Sequence, residues 1–152
     1  MKKYFAALSI ILAIPMVTLG SVVKYAEGNQ QFEGQFLKSK KAKAPAVLVV
    51  HNWMGVTAET LKQAKRFQDL GYNVFLADIY GAGVRPKDAA EAGKQATIYK
   101  SDRKLFRQRI DLAYQEMLKQ KSVDANQTAI LGYCFGGTAA LESARSNSKL
   151  KA

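Results

Sequence analysis

The segment Gly132-Tyr133-Cys134-Phe135-Gly136-Gly137 combines residue types and spacing that fit an attack on a carbonyl carbon. It places the single cysteine of the chain directly after a buried-strand pattern, Thr128 to Leu131, and before a helical pattern. A nucleophile elbow has this order of strand, sharp turn and helix. The flanking glycines leave space at the turn, and the start of a helix favours the reactive thiolate. The pattern predicts that Cys134 is a nucleophile; the alternative is an inert, buried thiol in a glycine-rich turn.

Acyl transfer also needs hydrogen-bond donors for the oxyanion that forms on the attacked carbonyl. In an elbow of this kind one donor is the N–H after the nucleophile, which here is Phe135. The other comes from the loop after an earlier strand, and the segment His51-Asn52-Trp53-Met54-Gly55 fits that position. We predict that the Trp53 N–H is the second donor. The alternative is an ordinary strand-to-helix turn held by Gly55.

A general base is harder to find, because His51 is the only histidine of the chain. Its position at a strand end, on the oxyanion side of the site, favours a role in orienting the loop over a role as base. Asp78 and Asp102 are candidate orienting acids, but Asp102 is explained more simply as the N-cap of a helix.

The elements that must position these residues alternate between strand and helix patterns, after a predicted hairpin of two edge strands. The hairpin strands are Val22 to Ala26 and Gln31 to Leu37, and the later strands are Ala46 to Val50, Asn73 to Ala77 and Thr128 to Leu131. The first helix is capped at Thr57 and runs to about Leu70. The other predicted helices span 87–100, Asp102 to Gln120 and Thr138 to Arg145. This order predicts an α/β fold with a mainly parallel sheet and helices on both faces.

Composition limits the classes of protein that the chain can be. Its 152 residues, 48% hydrophobic and 23% charged, predict one packed domain. One cysteine and one histidine exclude a disulfide framework and a structural zinc site. The motifs imply neither a metal nor a cofactor, and the predicted partner is a small-molecule substrate. Oligomeric state is not predicted.

The net charge of +11 supports a competing interpretation. Basic residues cluster at Lys38 to Lys43, Lys100 to Arg109 and Arg145 to Lys151, which is typical of an exported protein that binds anionic polymers. The clusters lack interleaved aromatic residues, and no nucleic-acid-binding module is recognisable, so nucleic acid is not an expected partner.

The first twenty residues resemble a secretory signal peptide. Lys2 and Lys3 precede an uncharged, apolar stretch from Tyr4 to Gly20, and cleavage after Gly20 is expected. The mature domain would then be 21–152, in the periplasm or secreted. The alternative is an uncleaved membrane anchor, which would be the only contact with a membrane.

Three segments together resemble the dienelactone hydrolase family, the cysteine-nucleophile branch of the α/β hydrolases. They are the elbow at 132–137, Val47-Leu48-Val49-Val50-His51-Asn52-Trp53-Met54-Gly55, and Gly71-Tyr72 followed by Asp78-Ile79-Tyr80-Gly81, and the likeness runs from about Phe32 to Ala144. The resemblance implies a Cys-His-Asp triad that attacks esters or lactones. It also implies that Asp78 occupies a structural position of the family.

Two departures from the family pattern bear on activity. Asn52 stands where the family often has a glutamate that interacts with the cysteine, and an amide cannot accept the thiol proton as a carboxylate can. The family triad also places its His and Asp downstream of the elbow, and neither follows Cys134 here. We expect that the chain is the front part of a longer hydrolase; the alternative is an inactive remnant.

Candidate pocket residues lie in the loops beside the elbow. Asn52, Trp53, Tyr80 and Arg85 are candidates for lining a substrate pocket, and Arg85 for pairing with a substrate carboxylate. Each is equally explained as a loop or packing residue. The identity of the substrate is not predicted.

Overall fold

The computed structural model describes residues 20–146, 150 and 152. The predicted signal peptide lies almost entirely in residues 1–19, outside the described residues. Within the described part, no helix is both long enough and apolar enough to cross a membrane.

Five strands form one sheet in the order β1-β2-β4-β3-β5. The strands are β1 Ser21–Glu27, β2 Gln30–Leu37, β3 Ala44–Val50, β4 Asn73–Ala77 and β5 Val123–Gly132. β1 pairs antiparallel with β2, and β2 pairs antiparallel with β4. β4, β3 and β5 are parallel. The predicted α/β fold with a mainly parallel sheet is therefore confirmed.

The prediction that both hairpin strands are edge strands is wrong for β2. β2 lies between β1 and β4, and only β1 is at the edge on that side. The end of β2, Gln35 to Leu37, instead pairs with Val74 to Leu76 of β4, so that its outer N–H and C=O groups are used in the sheet. Phe32, Phe36 and Leu37 are buried on the faces of the sheet.

Four helices connect or follow the parallel strands. They are α1 Ala58–Asp69, α2 Ala89–Ser101, α3 Arg103–Leu118 and α4 Phe135–Arg145. Thr57 caps α1 as predicted, in a reciprocal pair of bonds with Thr60. Asp102 caps α3 as predicted, because its Oδ1 accepts the Leu105 N–H at 2.9 Å. α4 begins three residues before the predicted start, directly after Cys134.

The core has two halves, one on each face of the sheet. Side chains alternate along β3, so that Leu48 and Val50 join the half that contains Phe106 of α3 and Phe135 of α4. Val47 and Val49 point to the other face, where they pack in a cluster with Ala64 of α1. Helices therefore cover both faces, as predicted.

β5 differs from the prediction in length and in burial. It begins at Val123, five residues before the predicted start, because Ala44 of β3 pairs with Val123 across a bulge. Ile130 and Leu131 are only half-buried, although the apolar pattern predicted a strand buried on both faces. β3 is its one partner strand in the described sheet. On its outer side the Ile130 N–H donates to the Ala152 carbonyl at 2.8 Å.

A buried amide ties the starts of these strands together. The Asn73 side chain is fully buried, and its Oδ1 accepts from the Ser39 N–H at 2.9 Å and from the Ser122 hydroxyl at 3.0 Å. Its Nδ2 donates to the carbonyl oxygens of Ala44 at 3.2 Å and Ser122 at 2.6 Å. Both ends of the amide are thus satisfied by segments distant in sequence.

Candidate active site

Cys134 lies at the junction of β5 and α4, in an unusual backbone conformation. Its φ is 55° and its ψ is −110°, and it is the one non-glycine residue in the described part of the chain with a positive φ. The residue is exposed, and its side chain makes no capping bond to α4. The strained turn therefore presents the thiol to solvent at the start of a helix.

The glycines on either side of Cys134 are required by backbone contact. A Cβ added to Gly136 would lie 2.2 Å from the Val50 carbonyl oxygen, and one added to Gly132 would lie 2.1 Å from backbone atoms of Gly136. Gly137 is different, because a Cβ there would meet the Gly132 oxygen at an ordinary 3.5 Å. The turn thus packs Gly136 against the end of β3, beside the loop that follows it.

The strain at Cys134 predicts that glycine at this position gives a more stable protein than alanine. Glycine adopts this positive φ without steric cost, whereas alanine does not. Relief of about 1–3 kcal/mol of strain, less about 1 kcal/mol for the greater freedom of unfolded glycine, leaves a net gain of about 0–2 kcal/mol. We expect Cys134→Gly to be about 1 kcal/mol more stable than Cys134→Ala in urea unfolding. Since both variants lack the thiol, a midpoint for Cys134→Gly that is clearly lower than that of Cys134→Ala would show that the turn is unstrained.

The loop after β3 is fixed by hydrogen bonds to the Asn52 carbonyl oxygen and from the N–H groups of Met54 and Gly55. The Asn52 carbonyl oxygen accepts from the Gly55 N–H at 3.1 Å and lies 2.6 Å from His51 Nδ1. The Asn52 Oδ1 accepts the Met54 N–H at 2.9 Å. Among the described residues, no acceptor is present for the Trp53 N–H or for the Phe135 N–H. These two donors are the ones that the sequence predicted for the oxyanion.

His51 is buried beneath this loop, only 1% exposed. Its ring stacks on Phe135, with centroids 5.7 Å apart and planes 9° apart, and meets Tyr80 edge-on at 4.6 Å. Burial lowers the pKa of His51 to about 4, so the ring is neutral at neutral pH. Both ring nitrogens face backbone groups, because Nε2 accepts the Ile79 N–H at 3.3 Å. The ring therefore has no nitrogen available to take a proton from the thiol.

The loop after β4 holds the other candidate residues. The Asp78 carboxylate accepts from the N–H groups of Glu33 and Gly81, at 3.0 Å and 3.1 Å, which is a structural arrangement. Burial raises the pKa of Asp78. Arg85 lies 3.6 Å from Asp78 Oδ1, and its Nη1 donates to the carbonyl oxygens of Gly81 and Val84. These contacts hold Arg85 within its own loop.

Tyr80 contributes to the site in a way that the sequence did not indicate. Its hydroxyl donates to the Trp53 carbonyl oxygen at 3.0 Å. Its ring is nearly fully buried, and burial raises the pKa of its hydroxyl, with a smaller contribution in the same direction from Cys134. No local spacing signals this bond, because 27 residues separate its two partners.

Glu142 was also missed, although it lies three residues before the basic cluster that begins at Arg145. It is buried on α4, where Arg107 bonds its Oε2 at 2.7 Å and Arg145 bonds its Oε1 at 2.9 Å. Arg103 lies 3.6 Å away. Hydrogen bonding from Arg107 lowers the pKa of Glu142. Three of the arginines that supported an anion-binding surface therefore contact one buried carboxylate. Arg103 and Arg107 do so from α3 and link that helix to α4, whereas Arg145 lies on α4 itself.

The candidate site thus has an exposed cysteine thiol and two backbone N–H groups, of Trp53 and Phe135, that have no acceptor among the described residues. It suits attack on an acyl carbon, with charge developing on the carbonyl oxygen. Within residues 20–146, 150 and 152, no three His, Cys, Asp or Glu side chains come together as metal ligands would.

Comparison with known proteins gives consistent matches. Residues 32–152 match the family model described as "Dienelactone hydrolase family". A protein of Aquifex aeolicus (strain VF5) named "Putative carboxymethylenebutenolidase" is 28% identical over 127 residues, which cover 81% of this chain and 54% of the relative.

Solved structures show the same likeness. The protein "m3DLH" is 32% identical with a TM-score of 0.81, and 86% of this chain aligns with 55% of it. A "Dienelactone Hydrolase-like Promiscuous Phospotriesterase P91 from Metagenomic Libraries" is 30% identical, with the same TM-score and coverage. The chain therefore spans about half the length of the relatives that it matches.

Proposed function

The chain belongs to the dienelactone hydrolase family, and on that premise we propose that Cys134 is the nucleophile of a hydrolase that acts on carboxylic esters or lactones. The observation that carries this proposal is the strained, exposed thiol at the start of α4. A positive φ at a non-glycine residue persists only where the surrounding structure enforces it, and such positions cluster at active sites.

The proposed reaction begins with a thiolate. Its sulfur attacks the carbonyl carbon of the ester, and the carbonyl π electron pair moves to the oxygen. The N–H groups of Trp53 and Phe135 donate to this oxyanion. When the oxyanion collapses, the bond to the leaving oxygen breaks, the alkoxide or phenoxide takes a proton from water, and a thioester remains on Cys134. From an ester the alcohol or phenol departs, whereas from a lactone the new hydroxyl group stays attached to the acyl chain. Water then hydrolyses the thioester to the free acid and the thiol.

The second half of this cycle needs a base to activate water. His51 does not serve, since both of its ring nitrogens face backbone groups. The family resemblance expects the triad His and Asp downstream of the elbow, and we propose that a longer form of the protein supplies them. In this chain, acylation should be faster than deacylation.

The test is the reaction of the full chain with para-nitrophenyl acetate. We expect a burst of one nitrophenol per chain, followed by slow turnover, with an acetyl group on Cys134 in the intact mass and peptide map. The burst should be about 100-fold faster than acetylation of the same thiol in the urea-unfolded chain, because backbone donors contribute on that order.

Cys134→Ala is the matched control, because it removes only an exposed sulfur. It should eliminate the burst while leaving the circular dichroism spectrum unchanged. An equal burst in Cys134→Ala, an acetyl group on a lysine instead, or equal rates in the folded and unfolded chains would each contradict the assignment.

A further inference from the structure

We propose that His51 is a positioning residue of this site, which holds the peptide between Asn52 and Trp53 so that the Trp53 N–H remains aimed at the oxyanion. The inference rests on the proposed function and adds to it a residue that touches neither substrate nor thiol. It follows from the hydrogen bonds of one buried imidazole.

The tautomer of His51 is set by its neighbours. The Ile79 N–H points at Nε2 from 3.3 Å, and an amide can only donate, so Nε2 is the acceptor. A neutral imidazole with an accepting Nε2 carries its proton on Nδ1. Nδ1 lies 2.6 Å from the Asn52 carbonyl oxygen, and it therefore donates to that oxygen.

This bond controls the direction of the next N–H. The peptide group is planar, and no cis peptide bond occurs in the described residues, so the Trp53 N–H points opposite to the Asn52 carbonyl. A carbonyl directed at the buried His51 ring consequently turns the N–H away from the ring. The Gly55 N–H holds the same carbonyl oxygen at 3.1 Å.

The peptide on the other side of Trp53 is also held at both ends. The Tyr80 hydroxyl binds its carbonyl oxygen at 3.0 Å, and the Asn52 Oδ1 binds the Met54 N–H at 2.9 Å. The free donor between these two fixed peptides is the Trp53 N–H. Preorganised donors of this kind stabilise an oxyanion without reorganising during the reaction.

The same imidazole also contacts the residue that supplies the other donor. Its ring lies parallel to the Phe135 ring, with the centroids 5.7 Å apart. The backbone approach of Gly136 to Val50 and His51 brings the first turn of α4 to the same place. One rigid ring thus links the two chain segments that bind the oxyanion.

Two substitutions separate the bonds that His51 makes. In His51→Asn the side-chain amide can replace Nδ1 as donor to the Asn52 carbonyl, but it cannot reach Ile79. In His51→Gln the side-chain oxygen can replace Nε2 as acceptor for the Ile79 N–H, but the Asn52 carbonyl loses its side-chain donor and keeps only the Gly55 N–H. If His51 had a purely structural role, the variant with the larger loss of stability would also show the slower acylation, whichever hydrogen bond it had lost.

The first measurement is single-turnover acylation of Cys134 by para-nitrophenyl acetate, with urea unfolding of each variant alongside. We expect His51→Gln to lower the maximal acylation rate about 100-fold with an unchanged half-saturation concentration, because the oxyanion exists only in the transition state. His51→Asn should remain within about 5-fold of the natural chain. Equal slowing in both variants, or a change confined to half-saturation, would overturn the proposal.

The second measurement does not depend on activity. In isotope-labelled protein, the residual dipolar coupling of the Trp53 amide should be preserved in His51→Asn and changed in His51→Gln. An unchanged coupling in His51→Gln would overturn the positioning role. If the natural chain shows no burst at Cys134, the proposed function fails, and the coupling still decides the role of His51.

Discussion

Gly136→Ala should cost at least about 4 kcal/mol of stability, enough to prevent the turn around Cys134 from forming. The added methyl carbon would lie 2.2 Å from the Val50 carbonyl oxygen and 2.9 Å from the His51 carbonyl oxygen. Both atoms belong to the backbone at the end of β3, where pairing with β4 and β5 restricts movement. Urea unfolding followed by circular dichroism should show a large drop in midpoint, and the acylation burst should disappear.

The neighbouring glycine provides the control. A methyl carbon at Gly137 would lie 3.5 Å from the Gly132 oxygen, an ordinary van der Waals distance, and the residue lies inside α4. Because alanine is a better helix former than glycine, Gly137→Ala should gain up to about 1 kcal/mol. The two adjacent substitutions are thus expected to act in opposite directions. Similar losses at both positions would show that helix packing, and not the approach to β3, constrains the turn.

Asn73→Ala should lower the free energy of unfolding by about 3 kcal/mol. The substitution leaves the Ser39 N–H and the carbonyl oxygens of Ala44 and Ser122 without their side-chain partner. Asn73 is fully buried, and buried polar groups that lose a partner cost free energy. The urea midpoint should fall with little change in slope, because the surface exposed on unfolding is nearly the same.

Asn126→Ala is the matched control for this prediction. Asn126 is exposed on β5, and it should change stability by no more than about 0.5 kcal/mol. A loss below about 1 kcal/mol at Asn73 would mean that water replaces the amide in its hydrogen bonds.

Local signals in the sequence predicted the elements whose ends are set locally. The first helix was predicted correctly from its cap at Thr57 to its end near Leu70, and the bounds of β4 were predicted to the residue. The start of β5 was missed, because Asp124, Asn126 and Gln127 are polar and indicate a loop. Those residues extend the strand because β3 pairs with its first residue, and tertiary pairing overrides propensity.

The start of α4 was missed for a related reason. Gly136 and Gly137 are poor helix formers, so the pattern placed the start of the helix after them. The position needs glycine even inside a helix, because the close approach of the Val50 backbone leaves no room for a side chain. That approach is a long-range contact, which helical spacing does not reveal.

The motifs identified Cys134 and the loop at 51–55 as candidates, but not how the loop is held. The bonds from Ile79 to His51 and from Tyr80 to Trp53 join segments 28 and 27 residues apart. Such bonds depend on how β3 and β4 align side by side, and residue types alone do not specify that register.

The chain carries one tryptophan and one cysteine, and both flank the candidate site. Trp53 is 39% exposed, and Cys134 is exposed at the start of α4. The natural sequence therefore provides a single tryptophan and a single position for thiol-directed labelling, both at the site of interest. Tryptophan emission, excited selectively over that of the tyrosines, and probes attached to the thiol both report on this region, and no engineered residue is needed.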